Sequence, residues 1–289
     1  MRQRKGARDR VIDMEQAQAV EQGDVTALLR YTIDTGVKPV NETYGPGGIM
    51  RRQSGTMDDQ RMIIHNGRPI AGDLKLDEQG FEFVRAQTKM RNYFDAEELK
   101  SVGYAETEAL IKQVSGARRV HIFDHTLRTG DEADRLKKQI REPVRAVHND
   151  YTEWSGPQRV RDLFPGQAEE ILKHRFAIIQ VWRPINKPVE ADPFALADAR
   201  SLDEKDFIPA ERRHPDRVGE IYQFKFNPHH RWYYFPRMTR DEAIVFKVYD
   251  SAKDGRARWT GHTSFEDPAT PKGAPPRESI EFRAFAFFD

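Results

Sequence analysis

The sequence predicts an α+β protein whose core is an eight-stranded jelly roll, and three observations predict it. Eight short β-like runs crowd residues 119–288, Pro, Gly and Asp punctuate the breaks between them, and the helical signals fall outside the runs, as helices packed on a roll would. The 289-residue chain shows no repeat at a fixed period and no low-complexity break, so residues 21–289 are read as one domain. Residues 1–20 are polar and charged without a core-facing stripe, and are expected to form a flexible arm.

Taken in order, alternating apolar residues predict strands over 28–33 and 62–65, and Asn66-Gly67 after the second is a hairpin-type turn signal. Residues 95–114 carry apolar positions at helical spacing. Asp95 can accept from the first free N–H groups, and Gly116 can take the left-handed conformation that closes the last turn. The eight runs follow at 119–127, 144–151, 176–183, 220–226, 231–236, 242–249, 257–263 and 278–288. One or two helices are expected within 155–174. The long connection 185–218, stiffened by Pro184 at its start and by Pro188, Pro193, Pro209 and Pro215, reads as a lid.

Composition narrows the function. Lys and Arg number 47 against 46 Asp and Glu, a net charge of +1, which excludes nucleic-acid binding driven by bulk charge. Uncharged apolar stretches such as 176–182 are too short to cross a bilayer, and no apolar run follows the basic start, so a soluble, cytoplasmic protein is expected. The absence of cysteine excludes disulfides, thiolate metal sites and thiol nucleophiles together. Any metal must be held by histidine and carboxylate.

Alternate residues of a strand point to one side, so a His-x-Asp pair can reach one ion. Two such pairs occur. His214-Pro215-Asp216 lies in a polar stretch with no strand around it and reads as solvated loop, whereas His148-Asn149-Asp150 ends an apolar run. A third donor could come from His262, in the 257–263 run, or from His230, in the aromatic and basic cluster 229–234. Arg277 and Ser279 then open the last run. A guanidinium can form a bidentate pair with a carboxylate, and a hydroxyl two residues on faces the same way.

With these motifs in place, the sequence resembles the iron(II)/2-oxoglutarate-dependent oxygenases with a double-stranded β-helix core. The phrases HNDYTEWSGPQRV, NPHHRWYYFP and HTSFEDPATPKGAPPRESIEFRA are similar to the subgroup of the cephalosporin 7α-methoxylation hydroxylase component and fungal hydroxylase/desaturase relatives. The resemblance implies that His148, Asp150 and His262 bind Fe(II) and that Arg277 and Ser279 grip the far carboxylate of 2-oxoglutarate. Two imidazoles and a carboxylate on one face of iron leave positions open for the keto acid and O2. Hydroxylation, desaturation or ring closure at an aliphatic carbon of a small specialised metabolite or amino-acid-derived substrate is then expected, with succinate and CO2 released. Because halogenating relatives lack the carboxylate, Asp150 argues against halogenation.

Arg183 of the Trp182-Arg183-Pro184 signature, Tyr222 and Tyr234 are further candidates to contact the co-substrate. The roles of His121, His125, His229 and, beyond its candidacy as third donor, His230 stay open. A homodimer or a methyltransferase partner are the assemblies the resemblance allows. The competing functions are a non-catalytic accessory module presenting substrate to a methyltransferase, and a cupin-like isomerase or metal-storage protein, which would need no Arg277 and Ser279.

Overall fold

The computed structural model describes residues 23–44, 50–138, 140–215 and 217–289. The expected arm at 1–20 and Asp216 of the second His-x-Asp pair lie outside the described residues. The strands are β1 (Val25–Ile33), β2 (Val40–Tyr44), β3 (Met50–Gln53), β4 (Thr56–Asn66), β5 (Phe81–Arg85), β6 (Arg119–Thr129), β7 (His148–Asn149), β8 (Phe176–Pro184), β9 (Phe194–Ala197), β10 (Phe207–Arg213), β11 (Val218–Phe224), β12 (Trp232–Tyr234), β13 (Glu242–Asp250), β14 (His262–Ser264) and β15 (Glu278–Phe287). They build a ten-stranded sheet, in the order β1-β4-β12-β9-β14-β7-β11-β10-β2-β3, and a five-stranded sheet, β5-β13-β8-β15-β6. Neighbours are antiparallel except β12 with β4 and β10 with β2.

The five-stranded sheet is buried on both faces, which is why 176–183 reads as an almost continuous apolar run. Its inner face contributes Phe176, Ile178, Trp182, Ile244, Phe246 and Phe285 to a core that also takes Phe194 and Leu196 from the opposing sheet. Its outer face carries smaller residues, among them Ala177, Ile179, Val181, Ala284 and Ala286, and packs under Ile111 of helix α1 (Tyr104–Ser115). Each fully buried Ile, Val or Phe contributes about 1.5–3 kcal/mol relative to exposure, so this double cover makes the sheet the rigid wall of the roll. Asp95 caps the segment leading into α1 by accepting from Glu97 and Glu98 N–H, and Gly116 closes α1 at φ 73°. Helices α2 (Glu132–Lys138), α3 (Ser155–Leu163) and α4 (Ala168–Ile171) complete the α+β jelly roll.

Two expectations are corrected. Asn66-Gly67 is not a hairpin turn: β4 pairs antiparallel with β1 and parallel with β12, and the chain leaves β4 into a 3-10 turn, Arg68–Asp73. Gly67 is required by close approach instead, because a Cβ there would lie 2.7 Å from the Phe235 ring. The 185–218 connection is not a lid, since Phe194–Ala197 is a buried strand held between β12 and β14.

Candidate metal centre

β7 lies between β11 and β14, with His148 opposite Gln223 on one side and His262 on the other. Residues opposite each other in a ladder share a face, so the two imidazoles meet, their ring centroids 4.3 Å apart. Only a short stretch of strand is needed there because the Asn149 side chain does the work of ladder bonds. Its amide donates to the carbonyls of Tyr151 and Val248, and its oxygen accepts from Thr260 N–H.

Both histidines are oriented through Nδ1, which bonds the Ala146 carbonyl at 2.8 Å in His148 and the Thr260 carbonyl at 2.9 Å in His262. A carbonyl only accepts, so each Nδ1 carries the proton and each Nε2 keeps a free lone pair. Asp150 is oriented as firmly. Its Oδ2 accepts from Gln180 Nε2 at 2.7 Å and Arg283 Nε at 3.1 Å, leaving Oδ1 3.6 Å from His148 Nε2. One donor atom from each of His148, Asp150 and His262 lies within 4.8 Å of the others. Burial, reinforced by His262, pushes His148 down to about 3, so this imidazole is neutral and ready to ligate. Burial would raise Asp150, but Arg283 and the two histidines outweigh it and hold the carboxylate well below its ordinary range.

Arg277 and Ser279 are 3% and 1% exposed and carry buried polar atoms without a hydrogen-bond partner, Nε of Arg277 and Oγ of Ser279. The guanidinium otherwise donates to the Asp192 carbonyl at 2.5 Å and sits 5.5 Å from the Trp182 ring centroid. Arg277 shares a narrow cavity with His148 and His262, bordered also by Trp182, Phe194 and Glu281. Two imidazoles, one carboxylate and a buried, partly unsatisfied hydroxyl–guanidinium pair fit a ferrous ion with a diacid beside it.

Three proposed contacts do not reach this place. Arg183 pairs with Ile280, which packs with Met90 and Tyr93 on the outer face, and its Nη2 donates to the carbonyls of Ala86 and Arg240. Tyr222 is opposite Asn149 rather than His148, so its ring turns to Phe207 and Trp259. Tyr234 lies against Phe265 and donates its hydroxyl to the Gly23 carbonyl at 3.0 Å. Each is one residue out of phase with the inward face. His230, the rival third ligand, is buried away from the triad with Tyr31 and Asp206. His125 bonds Tyr104 and His121 packs on Phe164, whereas His229 lines a separate cavity with Arg200 and Arg231. The sequence reading missed Gln180 and Arg283. They face each other across β8 and β15, and both hold Asp150.

Comparison with known proteins fits this geometry. The family described as Oxidoreductase/YMDC permease-like domain matches residues 29–287. The chain belongs to the iron(II)/2-oxoglutarate-dependent oxygenases within that family. Hydroxylase/desaturase CTB9 of Cercospora beticola is 32% identical over 267 residues, 85% of this chain and 81% of its own length. Fe(II)/2-oxoglutarate-dependent dioxygenase nvfI of Aspergillus novofumigatus is 32% identical over 235 residues, 78% of this chain and 83% of its own. The solved structure of the iron and alpha-ketoglutarate-dependent endoperoxidase NvfI superposes with a TM-score of 0.80 at 26% identity, covering 92% of this chain and 98% of that one. Among the described residues no helix is long and apolar enough to cross a membrane.

Proposed function

We propose that His148, Asp150 and His262 hold the iron and that Arg277 and Ser279 seat the far carboxylate of 2-oxoglutarate, in an oxygenase that hydroxylates, desaturates or cyclises a small molecule. The observation that carries this reading is the convergence of three donor atoms within 4.8 Å, with both Nδ1 atoms committed to carbonyls and Asp150 Oδ2 committed to Gln180 and Arg283. Bound there, ferrous iron with 2-oxoglutarate and O2 supplies the oxidising power that takes a hydrogen atom from an aliphatic carbon, with succinate and CO2 as co-products.

The chain's own residues position and exclude. The carbonyls of Ala146 and Thr260 fix the imidazole tautomers, and Arg283 keeps Asp150 ionised and aimed. Trp182 and Phe194, stacked at 5.0 Å, wall the co-substrate side against water. The cavity that His148 and His262 share with Arg277 is only about 10 Å³, so seating a diacid there requires the polar side chains bordering it, Glu281 and Arg128, to move aside. All three ligands come from one chain, so neither a second copy nor a methyltransferase is needed to complete the centre. We further propose a cytoplasmic location, since a chain without cysteine needs no oxidising compartment for disulfide formation.

Anaerobic Fe(II) is expected to bind at about one ion per chain and, with 2-oxoglutarate, to give the weak visible charge-transfer band of a chelated keto acid. His148→Ala or Asp150→Ala should abolish the band. A wild-type protein that binds no metal would return the accessory-module reading.

A further inference from the structure

A second, larger cavity of about 310 Å³ has His148 and Asp150 in its wall and is not bordered by Arg277. Six arginines border it: Arg128, Arg141, Arg159, Arg212, Arg217 and Arg283. The carboxylates beside them are Asp124, Asp150, Asp162 and Glu220, and these are already engaged. Arg283 pairs with Asp150 and Asp124, Arg159 lies 3.9 Å from Asp162, and Glu220 holds Lys38 and accepts from Thr152 Oγ1 at 2.6 Å. Arg128 gives its Nη1 to the Glu142 carbonyl.

Arg141, Arg212 and Arg217 are left over. Among the described residues none of the three has an ion pair or a side-chain hydrogen bond. They come from separate segments brought together by the roll. Arg141 bridges to Arg128 of β6, Arg212 is opposite Gly219 in the β10–β11 ladder, and Arg217 immediately precedes β11. Gly219 lies against both neighbours: a Cβ built there would be in ordinary contact with Arg217 Nη1 at 3.9 Å and Arg212 Cβ at 4.0 Å. Burial pushes Arg212 down to about 10 against the opposing pull of Asp150, and lowers Arg141 against Asp124 and Asp150, with neighbouring guanidiniums adding to both shifts. Six half-buried or buried guanidiniums face four carboxylates at this cavity, and the three without a direct partner are costly to fold around; an incoming oxyanion relieves that cost.

We propose that the substrate is an acidic small molecule whose oxyanion, carboxylate or phosphate, is held by Arg141, Arg212 and Arg217, so that its carbon skeleton reaches back to the metal centre. Phe123 and Trp154, the latter 52% exposed, give that skeleton an apolar border. The inference rests on the oxygenase reading and adds the substrate class to it. Two anions then approach the metal from two cavities, the co-substrate from the one Arg277 borders and the substrate from the one the arginine trio borders.

The test uses the full chain loaded with Mn(II) and N-oxalylglycine, so that the metal and the Arg277 side are both filled. Calorimetric titration with inorganic phosphate and with adipate, against adipamide as the neutral control, reads the cavity. The acids should bind saturably, at least about 10-fold more tightly than adipamide, and more weakly as NaCl rises. Arg212→Gln with Arg217→Gln should weaken acid binding by at least about 30-fold, and Arg141→Gln should weaken it in the same sense. Mn(II) and N-oxalylglycine affinities should hold in these variants, which also certifies their fold. Either acid binding more tightly supports the proposal and identifies the oxyanion. Equal binding of adipamide, unchanged acid binding in the double variant, or acid binding only when N-oxalylglycine is omitted would overturn it. Failure of Mn(II) and N-oxalylglycine to bind takes down the oxygenase reading and this proposal with it. Intact binding of both with silent arginines takes down this proposal alone.

Discussion

Replacing Arg277 with methionine is expected to move stability and co-substrate affinity in opposite directions. Burial pushes this guanidinium far below its ordinary value, down to about 9, which corresponds to about 5 kcal/mol set against its charged form. Its compensation in the folded chain is the Asp192 carbonyl and the Trp182 face, and Nε has no partner. Because the folded value lies below the unfolded one, the penalty is fully present at any pH under about 9 and fades only above it. Methionine keeps much of the packing on Trp182 without the charge, so the apoprotein should gain about 1–4 kcal/mol. The same change removes a bidentate pair to the carboxylate. At about 1.5–3 kcal/mol for each charge-assisted bond, N-oxalylglycine should bind the Mn(II) protein about 10²–10⁴-fold more weakly. Urea denaturation of the apoprotein and calorimetry of the Mn(II) form at pH 7.5 measure the two effects. A variant less stable than the wild type, with N-oxalylglycine affinity preserved within about threefold, would show that Arg277 is only a structural donor to Asp192, and the reasoning fails.

Three further outcomes follow from named contacts. Arg283→Gln removes a charged donor from Asp150 Oδ2 and should weaken Mn(II) binding about 10–100-fold, with partial rescue by Arg283→Lys; unchanged affinity in a folded variant would refute the orienting role. His148 stays neutral down to about 3 when folded but titrates near its ordinary 6.5 when unfolded, so the unfolded chain binds the extra proton between those values. Apoprotein stability should therefore fall by about 2 kcal/mol from pH 6.5 to 5 through this group, and a urea midpoint flat over that range would contradict it. Gly156→Ala places a Cβ 2.5 Å from the Tyr249 ring, which is stacked on Phe176 and has little room to retreat. A loss of about 1–3 kcal/mol is expected by denaturation, whereas Gly72→Ala, with nothing within 4 Å, should be near neutral.

The roll was legible where local pattern and tertiary structure agree. The helix signals at Asp95 and Gly116 mark real caps, and each of the eight apolar runs overlaps a strand, the 257–263 run only at its last two residues. Two runs shrink to short strands, His148–Asn149 and His262–Ser264, because side-chain bonds from Asn149 replace ladder bonds, and no periodicity reports that substitution. Phe194–Ala197 was hidden for the opposite reason. Four apolar residues among prolines are too few to show a period, yet the strand is held on both sides by neighbours more than 30 residues away in sequence.

The site divides along the same line. His148 and Asp150 could be paired from spacing alone, but only the register that sets His262 opposite His148 explains why these donors meet and His230 stays with Tyr31. Alternation, applied strictly, would have served better than resemblance for the co-substrate contacts. It puts Ser279, Glu281 and Arg283 on one face of β15, opposite Pro184, Trp182 and Gln180 of β8, and so turns Arg183 outward by one residue. Charges at alternate positions inside the apolar run 278–288 were therefore a readable sign that this strand faces a polar interior. No such rule reaches Arg141, Arg212 and Arg217. They share no strand period and gather only because β6, β10 and β11 border one cavity. Their convergence belongs to the topology, which makes the arginine trio the part of the site that only a three-dimensional structure could bring into view.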